Sequence, residues 1–296
     1  MRPPKLYVIL FSHNQRDETL LCLQSLKNIT HPPFQLLLID SGSKDGTTPA
    51  IRNVFPKVPI LTLDQHVGRA EGFNRGISWA LLKKAEWIFL LDANTRIAPD
   101  VLEHLKVASK GKKGTIFGGA IYRNTSEVEQ MGQMWDPKTG RFTPLFDAGT
   151  IDAVSSSALF IHRSVVEAIG LLEPAFFSSW EDRDFCMRAK RRGFEIQVVM
   201  DAKVFRQSPP PLHFYNWWKG RLLWIERNLP FQDRKHLYRT VIFPELWRHL
   251  RKYLRFFFRK EKALPHKRAL LAMVHYALNI KSSLFPLGLY GRLNQR

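Results

Sequence analysis

The sequence contains little cysteine: Cys22 and Cys186 are the two in its 296 residues. They occur in no spacing typical of a metal site or a redox motif. Two cysteines also cannot build the disulfide framework on which small secreted domains depend. We therefore expect two reduced thiols in or near the core.

Long hydrophobic runs are missing as well, and no stretch reaches the roughly 20 apolar residues that a transmembrane helix needs. Residues 6–11 are apolar and follow Arg2 and Lys5, but the run is too short for a secretory signal. It also lacks a small-residue cleavage site. We expect neither a transmembrane helix nor a secretory signal, and we interpret residues 6–11 as a buried strand.

Acidic residues are scarce towards the end of the chain. Residues 216–296 contain 18 Lys and Arg but only 4 Asp and Glu, a net charge of +14 within a total of +19. Such an asymmetry indicates a polyanionic partner, which could be anionic lipid headgroups or nucleic acid.

Short apolar runs alternate with segments of helical period. Strands are predicted at residues 6–11, 35–40, 58–63 and 87–91, and helices at 17–28, 69–84 and 99–109. After a less regular stretch at 115–147, we predict a strand pair or bulged strand at 151–162, a helix at 181–192 and a last strand at 195–200. This pattern predicts an α/β fold with a mostly parallel sheet flanked by helices. We place one domain at 1–215 and a basic, aromatic, helical extension at 216–296.

Polar clusters directly follow three of the predicted strands, at residues 12–14, 40–42 and 92–94. Ligands bind beyond the carboxyl ends of parallel strands, so these clusters are candidate site residues. Asp40 could accept hydrogen bonds from a base or a ribose, although an ordinary turn followed by a helix cap is the alternative. Asp92 and Asn94 approximate an acid–x–acid metal motif, in which an amide is a weaker ligand than a carboxylate.

Two further patterns suggest a site. Gly68, Gly72 and Gly76 recur every four residues and would form one smooth helix face. Because glycine is costly inside a helix, this row indicates either the close approach of a nucleotide or tight packing of the helix on the sheet. Glu181 and Asp182 are adjacent carboxylates at the predicted start of a helix, where the helix dipole favours them. They are either acid–base groups or an ordinary acidic first turn.

Taken in this order, the patterns resemble the family 2 glycosyltransferases, which have the Rossmann-like GT-A fold. The resemblance is closest to a bacterial branch that includes rhamnosyltransferases of surface-polysaccharide assembly, and it extends from Leu6 to about Pro230. The matching segments are residues 12–15, 38–47, 67–76, 90–95, 157–161, 169–173, 177–188, 191–196 and 221–228.

The resemblance implies an inverting glycosyltransferase that uses a nucleotide-sugar donor and a glycan or lipid-linked acceptor. Asp182 would be the general base, with Glu181 beside it. Asp40 would bind the nucleoside, Asp92 would lie near the ribose and the diphosphate, and Asn94 would stand at the metal position. The other positions implied in nucleotide-sugar binding are Ser12, Asn14, Ser41, Arg69, Gly72, Asn74 and Arg206.

The sequence departs from the family pattern at two metal-side positions. Asn94 replaces the usual acid, and Arg206 replaces a histidine that usually follows the last strand. A divalent metal, Mg²⁺ or Mn²⁺, would otherwise bind at Asp92 and the residue at position 94. One hypothesis is that Arg206 supplies positive charge in place of a metal, because a guanidinium suits a phosphate. The other is a degenerate site that binds nucleotide-sugar or glycan without turnover.

The basic extension contains a predicted amphipathic helix at residues 245–262. Trp247, Leu250, Leu254, Phe257 and Phe258 share one face, and basic residues share another. This is typical of a helix that lies in a membrane interface, and residues 211–218 add a second aromatic cluster. The alternatives are a helix packed on the catalytic domain and a nucleic-acid arm, but no nucleic acid is expected because no recognised module accompanies the helix. We expect a cytoplasmic protein bound peripherally to the inner face of the cell membrane, with an anionic membrane surface as partner.

Overall fold

A computed structural model of the chain describes residues 5–29, 32–123, 125–147, 149–207, 214–255 and 264–271. The chain divides into two compact units. The first, which we call the sheet unit, comprises Met1–Trp135 and Phe142–Pro210. The second, which we call the helical unit, comprises Asp136–Arg141 and Pro211–Arg296. Among the described residues, no helix is long and apolar enough to cross a membrane.

Strands and helices alternate along residues 6–92, as the sequence predicts, although the helix at 47–54 and the short strand at 95–97 were not predicted. The strands are β1 (Leu6–Ser12), β2 (Gln35–Ser41), β3 (Ile60–Leu63), β4 (Trp87–Asp92), β5 (Thr95–Ile97), β6 (Thr115–Tyr122), β7 (Val128–Gln130), β8 (Gln133–Asp136), β9 (Arg141–Pro144), β10 (Ala158–His162) and β11 (Glu195–Arg206). The helices are α1 (Arg16–Lys27), α2 (Thr47–Val54), α3 (Arg69–Leu82), α4 (Val101–Ala108), α5 (Arg163–Ile169), α6 (Glu181–Arg191), α7 (Phe214–Asn228), α8 (Phe231–Leu237) and α9 (Phe243–Arg255). A 3₁₀ turn at Pro174–Phe176 precedes α6, and a π-helical turn at Tyr238–Ile242 joins α8 to α9.

The central sheet runs in the order β3-β2-β1-β4-β10-β6-β11-β5, and β7 pairs with β6. Strands β3, β2, β1 and β4 are parallel, whereas β10 is antiparallel to both of its neighbours. The central strands β1 and β4 are buried along their whole length, and two hydrophobic clusters cover the two faces of the sheet. The uniformly apolar strands and their flanking helices therefore confirm the predicted α/β class.

The register of the parallel strands brings the predicted polar clusters together. Ser12 at the end of β1 lies opposite Asp40 of β2, and Phe11 lies opposite Asp92 of β4. Because these strands are parallel neighbours, their carboxyl ends form one edge of the sheet. The clusters that follow them consequently share that edge.

Three predictions for the second half of the sheet unit were wrong in detail. The stretch 115–147 is not irregular but contains β6 to β9. Strand β6 packs tightly: a Cβ on its Gly118 would come within 2.6 Å of the Val154 side chain. Residues 151–157 are not a regular strand, and only Ala158–His162 forms β10. The last strand does not stop at Met200, because β11 resumes after a bulge between Val199 and Lys203.

Both cysteines are buried, unbridged thiols, as predicted. Cys22 lies in α1 and Cys186 in α6. Burial raises the pKa of each thiol to about 12. Neither thiol ionises near neutral pH, so both act as small apolar residues of the core.

Arg221 of α7 is fully buried and organises the helical unit. Its Nε and Nη2 donate to the carbonyl oxygens of Gly140 and Thr139 at 3.0 and 2.8 Å, and its Nη1 donates to Glu245 Oε2 at 2.5 Å. Arg141 Nη2 donates to the other oxygen of Glu245 at 2.5 Å. One arginine thus joins α7, α9 and the tip between β8 and β9 through charge-assisted hydrogen bonds.

Candidate active site

Three charged side chains form a chain of ion pairs at the edge of the sheet. Arg69, the first residue of α3, donates from Nη1 to Asp92 Oδ2 at 2.8 Å and from Nε to Glu181 Oε1 at 2.6 Å. Asp92 ends β4 and Glu181 begins α6. The guanidinium therefore connects two carboxylates that are 89 positions apart in the sequence.

Two serines before β10 complete the connections between these acids. Ser157 Oγ donates to Asp92 Oδ2 at 2.6 Å, and Ser156 Oγ donates to Glu181 Oε1 at 3.3 Å. Both serines are buried. The loop that replaces the predicted strand at 151–157 thus supplies hydrogen bonds to both ends of the ion-pair chain.

Arg206, at the end of β11, joins the same cluster from the other side. Its Nη2 donates to Ser157 Oγ at 3.3 Å, and its Nη1 donates to Glu129 Oε1 of β7. Its Nε is buried without a hydrogen-bond partner among the described residues. We call Asp92, Arg69, Glu181, Ser157, Arg206 and Glu129 the ion-pair network.

Asp182 lies next to the network, on the first turn of α6. Its Oδ2 accepts from the backbone N–H of Ser156 at 3.2 Å, and its Oδ1 accepts from the backbone N–H of Arg183 at 2.8 Å. The Arg183 side chain approaches the same Oδ1, with Nη1 at 3.5 Å. Backbone groups therefore hold the carboxylate in one orientation while leaving its lone pairs partly available.

Burial governs the protonation of the acids and bases in the network. Glu181 has no exposed surface, and this burial raises the pKa of its carboxyl group, with the charge of Asp182 adding to the rise while Arg69 opposes it. Burial alone would lower the pKa of Arg69, but the charges of Asp92, Glu181 and Asp182 raise it above the ordinary value. Arg69 consequently stays cationic wherever the protein is folded.

A second polar cluster surrounds Asp40 at the end of β2. Asp40 Oδ1 accepts from the backbone N–H of Ser43 at 3.2 Å, and its Oδ2 accepts from the hydroxyl of Thr48 in α2. Asn14 accepts from the Lys44 N–H through Oδ1 at 2.7 Å and donates its own N–H to Ser43 Oγ at 2.8 Å. These bonds fix the loop after β2 against the loop after β1.

Two stacked imidazoles lie beside this loop. The rings of His13 and His66 are nearly parallel, with centroids 3.6 Å apart. The carbonyl of Ser41 accepts from His13 Nδ1 at 2.7 Å, whereas Ser41 Oγ accepts from the Val67 N–H at 3.0 Å and shares a hydrogen bond with His66 Nδ1 at 3.1 Å. Desolvation lowers the pKa of His13, although its bond to Ser41 and the charges of Asp40 and Asp45 oppose the shift. The lowered pKa favours a neutral His13 ring at pH 7, with its proton on Nδ1.

Three residues predicted to contact the ligand have roles inside the fold. Ser12 is buried and donates to Thr19 Oγ1 at 2.8 Å, and the Asn74 amide both donates to and accepts from the backbone of Leu172, at 2.8 and 3.0 Å. A Cβ on Gly72 would come within 2.4 Å of the Phe11 ring. Nucleotide-sugar contacts by Ser12, Gly72 and Asn74 stay predictions.

Tight packing explains the row of glycines along α3. A Cβ on Gly76 would come within 2.2 Å of the Ile9 side chain, and one on Gly68 within 2.6 Å of Phe177. Gly68 also has φ +84°, a conformation that residues with a Cβ rarely adopt. Close contact between α3 and β1 therefore requires the small residues, as the packing alternative proposed.

The donor atoms near Asp92 fit a divalent metal poorly. Asp92 Oδ2 already accepts from Arg69 and Ser157, and Asn94 offers an uncharged amide where a carboxylate would be the stronger ligand. The fixed positive charge of Arg69, 2.8 Å from Asp92, would repel a cation held there. In the part of the chain that is described, no three His, Cys, Asp or Glu side chains are grouped to hold a metal.

Sequence reasoning missed several members of the cluster. Ser156, Ser157 and Glu129 contact the predicted residues directly, yet no acid–base pattern marks them. Ser157 begins the segment 157–161, which resembles the family pattern, and this resemblance is the signal that could have marked it as a site residue. Glu129 lay in the stretch that lacked a regular pattern, so its pairing with Arg206 could not be expected.

Sequence comparison places the chain among proteins that transfer sugars. The family model of glycosyl transferase family 2 matches residues 7–170, more than half of the chain. The dTDP-rhamnosyl transferase RfbF of Shigella flexneri is 21% identical over 208 residues, covering 67% of this chain and 68% of that protein. The N-acetylglucosaminyl-diphospho-decaprenol L-rhamnosyltransferase of Mycobacterium tuberculosis is 23% identical over 259 residues, covering 69% and 83%.

Solved structures share the fold at low sequence identity. TarS 1-349 of S. aureus in complex with UDP-GlcNAc has a TM-score of 0.58 at 14% identity, with 96% of this chain and 94% of that chain covered. The mannosyltransferase PcManGT of Pyrobaculum calidifontis, in complex with GDP-Man and Mn²⁺, has a TM-score of 0.54 at 15% identity, with 99% and 80% covered. This chain spans only 43% of a longer TarS structure.

Proposed function

The chain belongs to glycosyl transferase family 2, and we propose that it transfers a sugar from a nucleotide-sugar donor to a hydroxyl group of a glycan or lipid-linked acceptor in cell-surface polysaccharide synthesis. The sheet unit has the GT-A fold predicted from its motifs. The observation that carries the proposal is the chain Asp92–Arg69–Glu181, which joins the end of β4 to the acidic first turn of α6. Asp92, the residue proposed for the diphosphate, is thereby joined to the turn that carries Asp182, the proposed base.

The transfer is a single displacement at the anomeric carbon of the donor sugar. The acceptor hydroxyl oxygen forms a bond to that carbon as the bond to the diphosphate oxygen breaks. The hydroxyl proton passes to the carboxylate of Asp182, and the electron pair of the broken bond leaves with the nucleoside diphosphate. Asp182 suits this role because backbone N–H groups of Ser156 and Arg183 already orient it.

The leaving diphosphate gains negative charge, which the site must balance. Arg69 contacts Asp92 directly, and Arg206 reaches it through Ser157, so two guanidinium groups flank the residue assigned to the diphosphate. We assign the balancing charge to these arginines, because the oxygen donors at Asp92 and Asn94 suit a metal poorly. A guanidinium can bind two phosphate oxygens at once.

Donor turnover tests the proposed function. The full-length protein is given UDP-, dTDP- and GDP-sugars with a membrane extract as acceptor, with EDTA or with Mn²⁺, and release of nucleoside diphosphate is measured. We expect one donor to turn over and Asp182→Asn to lose the turnover while it still binds that donor. Tight donor binding without turnover under every condition would contradict the proposal and favour a binding protein.

We assign the helical unit to an anionic membrane surface at the cytoplasmic face. Phe243, Trp247 and Leu254 recur along one side of α9 and are 57%, 59% and 63% exposed. Basic residues on the same helix are exposed as well, among them Arg251 and Arg255. An exposed apolar stripe flanked by cations fits a helix in a membrane interface.

The structure limits which aromatic residues can serve this contact. Trp218 of the second aromatic cluster is buried, as is Trp224 farther along α7, so these two rings contribute to the core of the helical unit and not to its surface. Phe257 and Phe258, also predicted for the membrane face, lie outside the described residues. Trp247 and Leu254 are therefore the residues to test.

Vesicle sedimentation distinguishes this surface from a solvated helix face. We expect the full chain to bind phosphatidylglycerol-containing vesicles at low salt, and Trp247→Ser with Leu254→Ser to weaken binding at least fivefold. Leu82→Ser is the matched control, because Leu82 lies on α3 and is 83% exposed. Equal binding to neutral vesicles, or equal loss in the control, would contradict the assignment.

A further inference from the structure

A cavity of about 400 Å³ opens between β7, β9 and the first turn of α6. This volume lies within the roughly 300–1,000 Å³ of small-molecule sites. Its wall includes Phe142, Phe146, Gln130, Gln133 and Arg183, all of which belong to the sheet unit. None of them was predicted as a site residue: four lie in the stretch that showed no regular pattern, and Arg183 lies in the predicted helix at 181–192.

Arg183 connects the cavity to Asp182. It follows Asp182 in the chain, its Nη1 lies 3.5 Å from Asp182 Oδ1, and it lines the cavity. Its guanidinium packs over the rings of Phe142 and Trp180, 5.6 and 5.1 Å from their centroids. These rings hold the arginine in place. Asp182 itself does not line the cavity, so Arg183 is the group that links a ligand there to the carboxylate assigned as base.

Two polar atoms of the cavity residues have no hydrogen-bond partner within the described chain. Gln133 is 6% exposed; its Nε2 donates to Gln130 Oε1 at 2.8 Å, but its Oε1 is buried without a donor. Arg183 Nε is a buried donor without an acceptor. Leaving such groups unsatisfied costs about 1–3 kcal/mol each. Both atoms belong to residues that line the cavity, so a small movement of either side chain would present a polar group to a bound ligand.

The charges around the cavity favour a neutral ligand. Arg123 is paired with Glu127 at 2.7 Å, and Glu129 is paired with Arg206. Every charged group of the wall therefore has an opposite charge nearby, and no unpaired cluster of cations is present among the described residues to hold a phosphate. A pyranose matches the neutral polar groups and the aromatic rings of the wall. Its hydroxyl groups both donate and accept hydrogen bonds, and its C–H face packs against aromatic rings.

We infer that this cavity is the acceptor subsite, and that it binds a neutral pyranose whose attacking hydroxyl faces Asp182. Gln133 and Arg183 hold neighbouring hydroxyl groups, and Phe142 and Phe146 contact the apolar face of the ring. The inference rests on the proposed function in one respect: only if the protein is a glycosyltransferase is the sugar bound in this cavity its acceptor.

Two measurements separate this subsite from the donor site. The first is saturation-transfer NMR of methyl glycosides of neutral hexoses and deoxyhexoses with the full chain, which needs no turnover. The second is the acceptor KM together with the donor KM and the slow transfer of donor sugar to water. We expect Gln133→Leu to abolish the NMR signal and to raise the acceptor KM at least tenfold, with the donor KM and transfer to water within twofold of wild type.

Matched variants keep the result interpretable. Gln197→Leu makes the same change on β11 outside the cavity and is expected to behave as wild type. Arg183→Lys keeps the charge but removes Nε, and it should likewise raise the acceptor KM. If Gln133→Leu and Arg183→Lys bind the glycosides as wild type does, or if they lose transfer to water in equal measure, the inference is wrong. Absence of all donor turnover by the wild type would instead contradict the proposed function, while the NMR result would still decide the subsite.

Discussion

The ion-pair network and the cavity beside Arg183 differ in how far their charged and polar groups are connected to one another. In the network, Asp92 accepts from both Arg69 and Ser157, and Glu181 accepts from Arg69. In the cavity wall, Gln133 Oε1 and Arg183 Nε are buried without partners in the described chain. The charges of the network are thus paired with one another before any ligand arrives, although Glu181 Oε2 and Arg206 Nε lack partners in the described chain, as the two cavity atoms do. The cavity differs in that its unpartnered atoms belong to residues lining an open volume.

This difference separates two kinds of function. Preassembled charges stabilise a charge that develops during reaction, because they need no reorganisation at that moment. Unpaired polar groups instead select a ligand, since one that lacks matching groups leaves them unsatisfied. Changes in the network should therefore lower kcat, and changes in the cavity should raise the acceptor KM.

The largest effect is expected from Asp182→Asn. Loss of the general base should lower kcat by about 10²–10⁴-fold without weakening donor binding. Asp184→Asn is the control, since it lies on the same turn and loses a 2.7 Å ion pair with Arg188. Equal kcat losses in the two variants would point to disruption of α6 rather than to loss of a base.

Arg69→Met should break the network at its centre. Two carboxylates would lose their common cation, so we expect kcat to fall by about 10²–10³-fold and the free energy of unfolding to fall by about 3–5 kcal/mol. Arg75→Met, on the same helix, removes only an exposed pair with Glu71 and should cost less than about 1 kcal/mol in urea denaturation. Similar losses of stability in both variants would show that the ion pairs of Arg69 contribute no more to folding than an exposed pair does.

Arg206→Ala tests the source of positive charge. If arginine replaces a metal, turnover should persist in EDTA and fall about tenfold or more in the variant, since one stabilising cation is lost. Isothermal titration of Mn²⁺ into the wild type would measure metal binding independently of activity. Unchanged turnover in Arg206→Ala, combined with complete loss in EDTA, would refute this role.

Glu181→Gln should have the smallest effect, and it should depend on pH. Burial raises the pKa of Glu181 above its ordinary 4.5, so its contribution to stability is fully present below that pH and is lost as the pH rises through the raised value. Gln cannot ionise. The free energy of unfolding of the variant, relative to that of wild type, should therefore increase as the pH rises above 4.5. A gap that stays constant with pH would contradict the raised pKa.

The sequence predicted the network better than the cavity, for a physical reason. Asp92 and Asp40 end apolar strands, and strand periodicity and parallel register together bring such residues to one edge. Gln133 and Phe142 belong to short strands in a stretch without regular alternation, so neither their pairing nor the cavity they line could be expected. The charges of Glu181 and Asp182 were visible, but their link to Asp92 through Arg69 required the fold.

The helices after residue 211 illustrate the same limit. Charge and aromatic content predicted a membrane-facing segment, but composition could not tell exposed Trp247 from buried Trp218. Arg221, counted among the surface cations by composition, is fully buried against Glu245. Burial depends on which helices pack together, and a single sequence does not state that.

The anomeric configuration of the product tests the central claim most directly. With the donor identified by turnover, the configuration at the transferred carbon is compared by NMR between the donor and the first product formed. A single displacement assisted by Asp182 predicts complete inversion. Retention of the donor configuration would require a covalent or front-side route and would contradict the assignment of Asp182 as the base.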